Sequence, residues 1–169
     1  MSKNRIAAEA GWVNSKRLPV GPDGRPLCRK CGQEVPKGRR TFCSEACVHE
    51  HKLRTDPGYV RKQVFQRDRG VCFLCGLDTV TEEQRLALAA NSAWREGPAA
   101  RTVAEKEFFT VLGVRFGNRR HGGYWDADHI VPVSQDGGEC GLDNYRTLCI
   151  LCHKKVTAEL RQQSKESSC

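Results

Sequence analysis

An aspartate and a histidine stand side by side, Asp128 and His129, in the run DADHIVPV at residues 126–133. Asn144 follows a glycine-rich loop, and His153 comes directly after the second cysteine of Cys149-x2-Cys152. Asp128 offers a hard oxygen and His153 a nitrogen, a partial ligand set for a divalent cation with positions left open for water and phosphate. His129, whose unperturbed pKa lies near neutrality, is suited to take a proton from water. Asn144 can donate and accept hydrogen bonds at once and is expected to fix the loop that aims His129. Such chemistry requires Asp128 and His129 to be held on something stiff. The alternation of Ile130, Val131 and Val133 predicts a strand running through residue 133, and neighbours on a strand point to opposite faces.

Eight of the ten cysteines form four close pairs. Cys28-x2-Cys31 with Cys43-x3-Cys47 makes one complete tetrahedral zinc site, since each pair closes a tight chelate. Cys72-x2-Cys75 and Cys149-x2-Cys152 each lack two thiolates, so pairing them gives a second zinc site that clamps the two ends of a domain. With zinc on Cys152, the next side chain, His153, is fixed at the start of a helix. Both zinc ions are read as structural. His49 and His51 are expected to be ordinary surface histidines, Cys140 a buried small thiol and Cys169 a free thiol in a polar tail.

The elements around these motifs are legible from caps and periodicity. Ser44 predicts the N-cap of a helix through His51. Asp56 and Pro57 open a second helix, on which Tyr59, Val60, Val64 and Phe65 share a core face, and Gly70 ends it. Two helices fill residues 81–112, broken at Gly97-Pro98, with Thr81 and Gln84 resembling a capping box. An amphipathic helix follows His153. The expected organisation is a flexible basic arm (1–26), a zinc knuckle (27–55), a domain carrying the Asp-His motif (56–164, with the helical insertion at 81–112) and a tail (165–169).

The chain has 169 residues, only 38% hydrophobic, so a small core helped by metal is expected. No apolar run reaches the roughly 20 residues of a membrane span, and the N-terminus lacks the apolar stretch of a secretory signal. That composition points to a reducing, intracellular setting, cytoplasmic, nucleoid or nuclear, where paired cysteines bind metal. The net charge of +8 is lopsided: residues 1–70 carry 16 Lys and Arg against 7 Asp and Glu, and residues 71–169 carry 12 against 13. A basic half beside a near-neutral half suggests a grip on a polyanion. Arg119, Arg120, His121, Arg146, Lys154 and Lys155, close in sequence to the Asp-His motif, are expected to contact nucleic acid.

The combination DHI-x-P, GG, LDN and TLC-x2-CH resembles the HNH nucleases of the ββα-metal superfamily in their zinc-clamped form. The resemblance covers residues 56–162, and the cysteine-rich lead-in is similar to that of zinc-finger annealing helicases; free-standing bacterial and phage HNH nucleases compare equally. It implies an α+β fold: a ββα-metal core with a helical insertion and an N-terminal four-cysteine zinc knuckle. It implies that Asp128 and His153 hold a catalytic divalent ion (Mg2+ or Mn2+, or else Zn2+ or Ni2+), and that His129 activates water. Catalysis would then be phosphodiester hydrolysis, most naturally in DNA, leaving 5′-phosphate and 3′-hydroxyl ends. The competing expectation is a zinc-stabilised nucleic-acid-binding module that does not cut.

Overall fold

The computed structural model describes residues 13–119, 123–138 and 140–166. They fall into two compact units, one built from the described residues of 13–62 and 131–144, the other from those of 63–130 and 145–166.

In the first unit, the part of the expected basic arm that is described folds back on itself. Asn14 Oδ1 accepts from the Lys16 N–H at 3.1 Å and caps a 3-10 turn, Ser15–Arg17. Bridges Val20↔Pro26 and Leu27↔Glu34 then carry the chain into the first cysteine pair. Residues 1–12 of the arm lie outside the described residues. The Ser44 hydroxyl accepts from the Cys47 N–H and starts α1 (Glu45–Thr55), as its sequence predicts. Asp56 Oδ1 accepts from the Tyr59 N–H at 3.0 Å and starts α2 (Pro57–Asp68). Val35 and Leu53 are the buried apolar side chains of the knuckle. His49 Nδ1 lies 2.7 Å from the Tyr59 hydroxyl and His51 packs against Phe42, so both histidines serve packing. That contact leaves Tyr59 half-buried, and Phe65 is 36% exposed; of the expected core face of α2, only Val60 and Val64 are buried.

In the second unit, which takes in the last turns of α2, that helix is ended by Gly70. Its φ of +83° is a left-handed conformation that a side chain resists, and an added Cβ would sit 2.9 Å from Val80 Cγ2. The following turn is closed by the bridge Val71↔Asp78 and by the Thr79 hydroxyl donating to the Gly70 carbonyl at 2.7 Å. The next helix, α3, spans Thr79–Glu96 and its cap is Asp78, not the Thr81–Gln84 box. The Asp78 carboxylate accepts the N–H groups of both Val80 and Thr81 and also the Thr81 hydroxyl, which removes Thr81 from the capping role. Helix α4 (Pro98–Leu112) follows at Gly97. The two helices bury Leu86, Phe108 and Leu112 together with Tyr124, so the insertion shares a core with the residue that leads into the first strand.

Strand β1 (Trp125–His129) pairs antiparallel with β2 (Tyr145–Cys149), and α5 (Ile150–Glu166) starts immediately after. This is the expected ββα order. The strand is shorter than its apolar pattern predicts: Ile130, Val131 and Val133 lie outside it, at 45%, 45% and 62% exposure. Val131 is withdrawn from pairing because the Asn144 side chain takes both its backbone groups. Leu148 and Ile150 are fully buried, each contributing about 1.5–3 kcal/mol. Polar bonds add to them: the Thr147 hydroxyl donates to Asp68 Oδ2 at 2.9 Å, and the Arg67 guanidinium to the Tyr145 carbonyl at 2.7 Å.

Candidate active site

The register of the hairpin decides which side chains meet. Residues 126 and 128 share one face of β1, and the partners Asp126↔Leu148 and Asp128↔Arg146 place Arg146 on that face too. Arg146 Nε and Nη2 both donate to Asp128 Oδ2 at 3.0 Å. The other oxygen of Asp128, Oδ1, lies 3.8 Å from His153 Nε2. The opposite ring nitrogen, His153 Nδ1, is 2.9 Å from Asp126 Oδ2. Asp128 is thus held from behind by Arg146, Asp126 stands within ion-pair distance behind His153, and Asp128 Oδ1 and His153 Nε2 converge. A hard oxygen and an imidazole nitrogen so arranged fit a divalent cation.

His153 stands on the first turn of α5 because Cys149 and Cys152 precede it there. The sulfurs of Cys72, Cys75, Cys149 and Cys152 lie within 4.8 Å of one another, as do those of Cys28, Cys31, Cys43 and Cys47. The Cys75–Cys149 sulfur separation is 3.8 Å, the edge of a tetrahedron with Zn–S bonds of about 2.3 Å. Burial pushes the Cys72 thiol up, but the backbone N–H groups of Cys149, Cys75 and Leu74 outweigh it and bring it to about 7. Cys28 is treated the same way by Cys31, Cys43 and Lys30 and comes to about 6. Conversely, hydrogen bonding from Cys47 and Cys31 pushes Cys43 up to about 12. Four crowded thiols resist ionising together unless a cation joins them, and both clusters are compatible with structural zinc. Cys140 is half-buried and outside both.

His129 faces away from Asp128, against Tyr145, with ring centroids 4.4 Å apart. Burial holds its pKa below the ordinary histidine value, the Asp128 charge opposing only in part. Its Nε2 is buried without a hydrogen-bond partner among the described residues. Asn144, ending the 3-10 turn Leu142–Asn144, accepts the Val131 N–H at 2.8 Å and donates to the carbonyls of Val131 and Gly137 at 3.1 and 3.0 Å. It therefore braces the segment that continues from β1.

Several of the expected nucleic-acid contacts have internal partners. Arg146 is bound to Asp128, Arg119 pairs with Glu83, and Lys154 Nζ donates to the Gly113 carbonyl at the end of α4. Lys155 is exposed, while Arg120 and His121 lie outside the described residues, as does Cys169. The residue the sequence reading overlooked is Asp126. Its signal was available, because it sits two positions before Asp128 and so on the same strand face.

Residues 117–159 match the HNH endonuclease family. Over 158 residues the chain is 37% identical to the DNA annealing helicase and endonuclease ZRANB3 of Mus musculus and 35% identical to that of Homo sapiens. Each match covers 88% of this chain and 14% of the relative, so the chain spans about a seventh of the length of these relatives. The crystal structure of the human ZRANB3 HNH domain is 29% identical, with a TM-score of 0.41 over 66% of this chain and 97% of that domain. The chain carries an HNH endonuclease domain homologous to the HNH region of ZRANB3.

Proposed function

We propose that the chain is a metal-dependent endonuclease that hydrolyses phosphodiester bonds in DNA. The observation that carries this is the convergence of Asp128 Oδ1 and His153 Nε2, with Arg146 hydrogen-bonded to the other oxygen of Asp128 and Asp126 2.9 Å from the other nitrogen of His153. Asp128 and His153 would hold the divalent ion. An ion held there would supply charge neutralisation for the phosphodiester under attack.

The chain's own side chains do the rest. His129, kept neutral by burial, takes a proton from water as the water oxygen attacks phosphorus. The bond from phosphorus to the 3′ oxygen breaks and that oxygen takes a proton from solvent, leaving 5′-phosphate and 3′-hydroxyl ends. Since neighbours on β1 diverge, base and ligand act from different sides of the phosphate. Asp126 is a positioning residue: its carboxylate favours the His153 tautomer protonated on Nδ1 and frees the Nε2 lone pair for the ion. Arg146 fixes Asp128 in the same way. Asn144 sets the path of the chain beyond His129. DNA as substrate is supported by the basic first 70 residues and by the relatives' being DNA annealing helicases and endonucleases. Among the described residues no helix is long and apolar enough to cross a membrane.

Supercoiled plasmid incubated with Mg2+ or Mn2+ should be nicked, with activity lost on removing the free ion and regained on its return. Binding without any nicking across single-stranded, duplex and branched DNA would leave only a zinc-stabilised binding module.

A further inference from the structure

The knuckle unit contains a cavity of about 550 Å³ whose walls carry Lys16, Arg29 and Arg40, with Asn14, Thr41 and the Phe42 ring between them. No acidic side chain lines it among the described residues. Three arginines elsewhere in the unit are neutralised in place. Arg25 pairs with Asp23 and Glu34, Arg39 with Glu45, and Arg54 with Glu50. Lys16 and Arg40, both exposed, have no acidic partner among the described residues. The Arg29 guanidinium sits 5.5 Å over the Phe42 ring, and its backbone N–H bonds the Thr41 carbonyl at 3.1 Å. The wall that carries these cations is therefore built, not a loose fringe. Like charges gathered around one opening repel each other unless an anion enters.

We propose that this cavity is a docking subsite for the phosphodiester backbone of DNA, held by Lys16, Arg29 and Arg40 and separate in residues from the catalytic constellation. The cations are of the kind that position a nucleic acid without reading its bases. The proposal rests on the endonuclease reading for its choice of polyanion, and it places affinity in the knuckle and chemistry in the ββα residues.

The test is the salt dependence of binding to a duplex oligonucleotide, on the full chain without added Mg2+ or Mn2+. Each phosphate contact contributes about 0.9 to the slope of log affinity against log salt, so Lys16→Ala/Arg40→Ala should lower the slope by about 1.8. If the two lines meet near 1 M salt, that corresponds to about 60-fold weaker binding at 0.1 M. The control is Arg25→Ala/Arg54→Ala, which removes the same charge from already paired positions and should leave the slope nearly unchanged. Zinc content confirms folding, and Lys16→Gln/Arg40→Gln repeats the test should alanine disturb the 3-10 turn. An unchanged slope in the cavity variants, or an equal drop in cavity and control variants, overturns the proposal. Cleavage at saturating DNA with Mn2+ separates the two ideas. The cavity variants should cut at the wild-type rate, and a wild type that binds with the cavity-dependent slope but never cuts defeats the nuclease reading alone.

Discussion

Replacing Asp126 by asparagine changes one atom type and removes one charge, 2.9 Å from His153 Nδ1. The side chain keeps its volume in a nearly buried position, so the fold should survive. What changes is the instruction given to the imidazole. A carboxylate only accepts, so it holds the proton on Nδ1 and leaves Nε2 basic; an amide can turn its NH2 toward the ring and favour the opposite tautomer, with Nε2 protonated and closed to a cation. Loss of such an outer carboxylate partner typically costs about 10–100-fold in metal affinity, or about 1.4–2.7 kcal/mol. Mn2+ titration followed by electron paramagnetic resonance on the intact chain gives this number without any cleavage assay. Asp126→Asn should shift the curve by that factor, Asp128→Ala should abolish it, and DNA affinity without added ion should stay constant in both. Excess Mn2+ should restore nicking by Asp126→Asn. A wild-type Mn2+ curve for Asp126→Asn beside a lost one for Asp128→Ala refutes the positioning role; an intact curve in Asp128→Ala refutes the metal site itself.

His129→Ala should lower the nicking rate by about 10²–10⁴-fold, with the Mn2+ curve and DNA affinity unmoved and no rescue by excess ion. Metal analysis should return about two zinc ions per chain from the four cysteine pairs, and Cys149→Ser should lose one together with the Mn2+ affinity that depends on His153. Asn144→Asp still accepts the Val131 N–H but sets an anion against the Val131 and Gly137 carbonyls; a loss of about 1–3 kcal/mol is expected in denaturant unfolding. Thr147→Val removes the hydroxyl that donates to Asp68 and should cost about 1.5–3 kcal/mol. The Arg67 guanidinium first, and Thr147 after it, hold the Asp68 carboxyl below the ordinary range against the opposing pull of burial. That contribution is therefore complete at neutral pH and lost only as pH falls through the lowered pKa.

The parts of this molecule that were legible in its sequence are those fixed by short-range chemistry. Ser44 and Asp56 cap α1 and α2 because an oxygen acceptor placed before a helical run has few competing uses. The four cysteine pairs converge as their spacing demands. Short-range signals misled where two local partners competed. Asp78 and Thr81 could both cap α3, and the carboxylate, which takes two N–H groups, prevails. Ile130, Val131 and Val133 have the pattern of a strand, but pairing beyond His129 requires Val131 backbone groups that Asn144 already holds, and Asn144 is distant in sequence. Alternation alone carries no information about such a claim on the backbone.

The same limit explains why Asp126 escaped notice while Asp128 did not. Asp128 is marked by its neighbour His129, a pairing visible in one dimension. The partner of Asp126 is His153, brought to it by the antiparallel register of β1 with β2 and by the immediate start of α5 after Cys149. The register also gives Arg146, an expected phosphate contact, a cross-strand partner in Asp128. An exposed arginine would gain little from such a pair, but here both side chains are only 15% exposed, where a charge left alone is costly. The pair therefore does two things at once: it satisfies two partly buried charges, and it leaves Asp128 Oδ1 facing His153 Nε2. The candidate site is in this sense a product of the hairpin register. A shift of one residue would carry Asp126 and Asp128 to the face now occupied by Trp125 and His129 and dismantle the proposed metal ligands and their supports together.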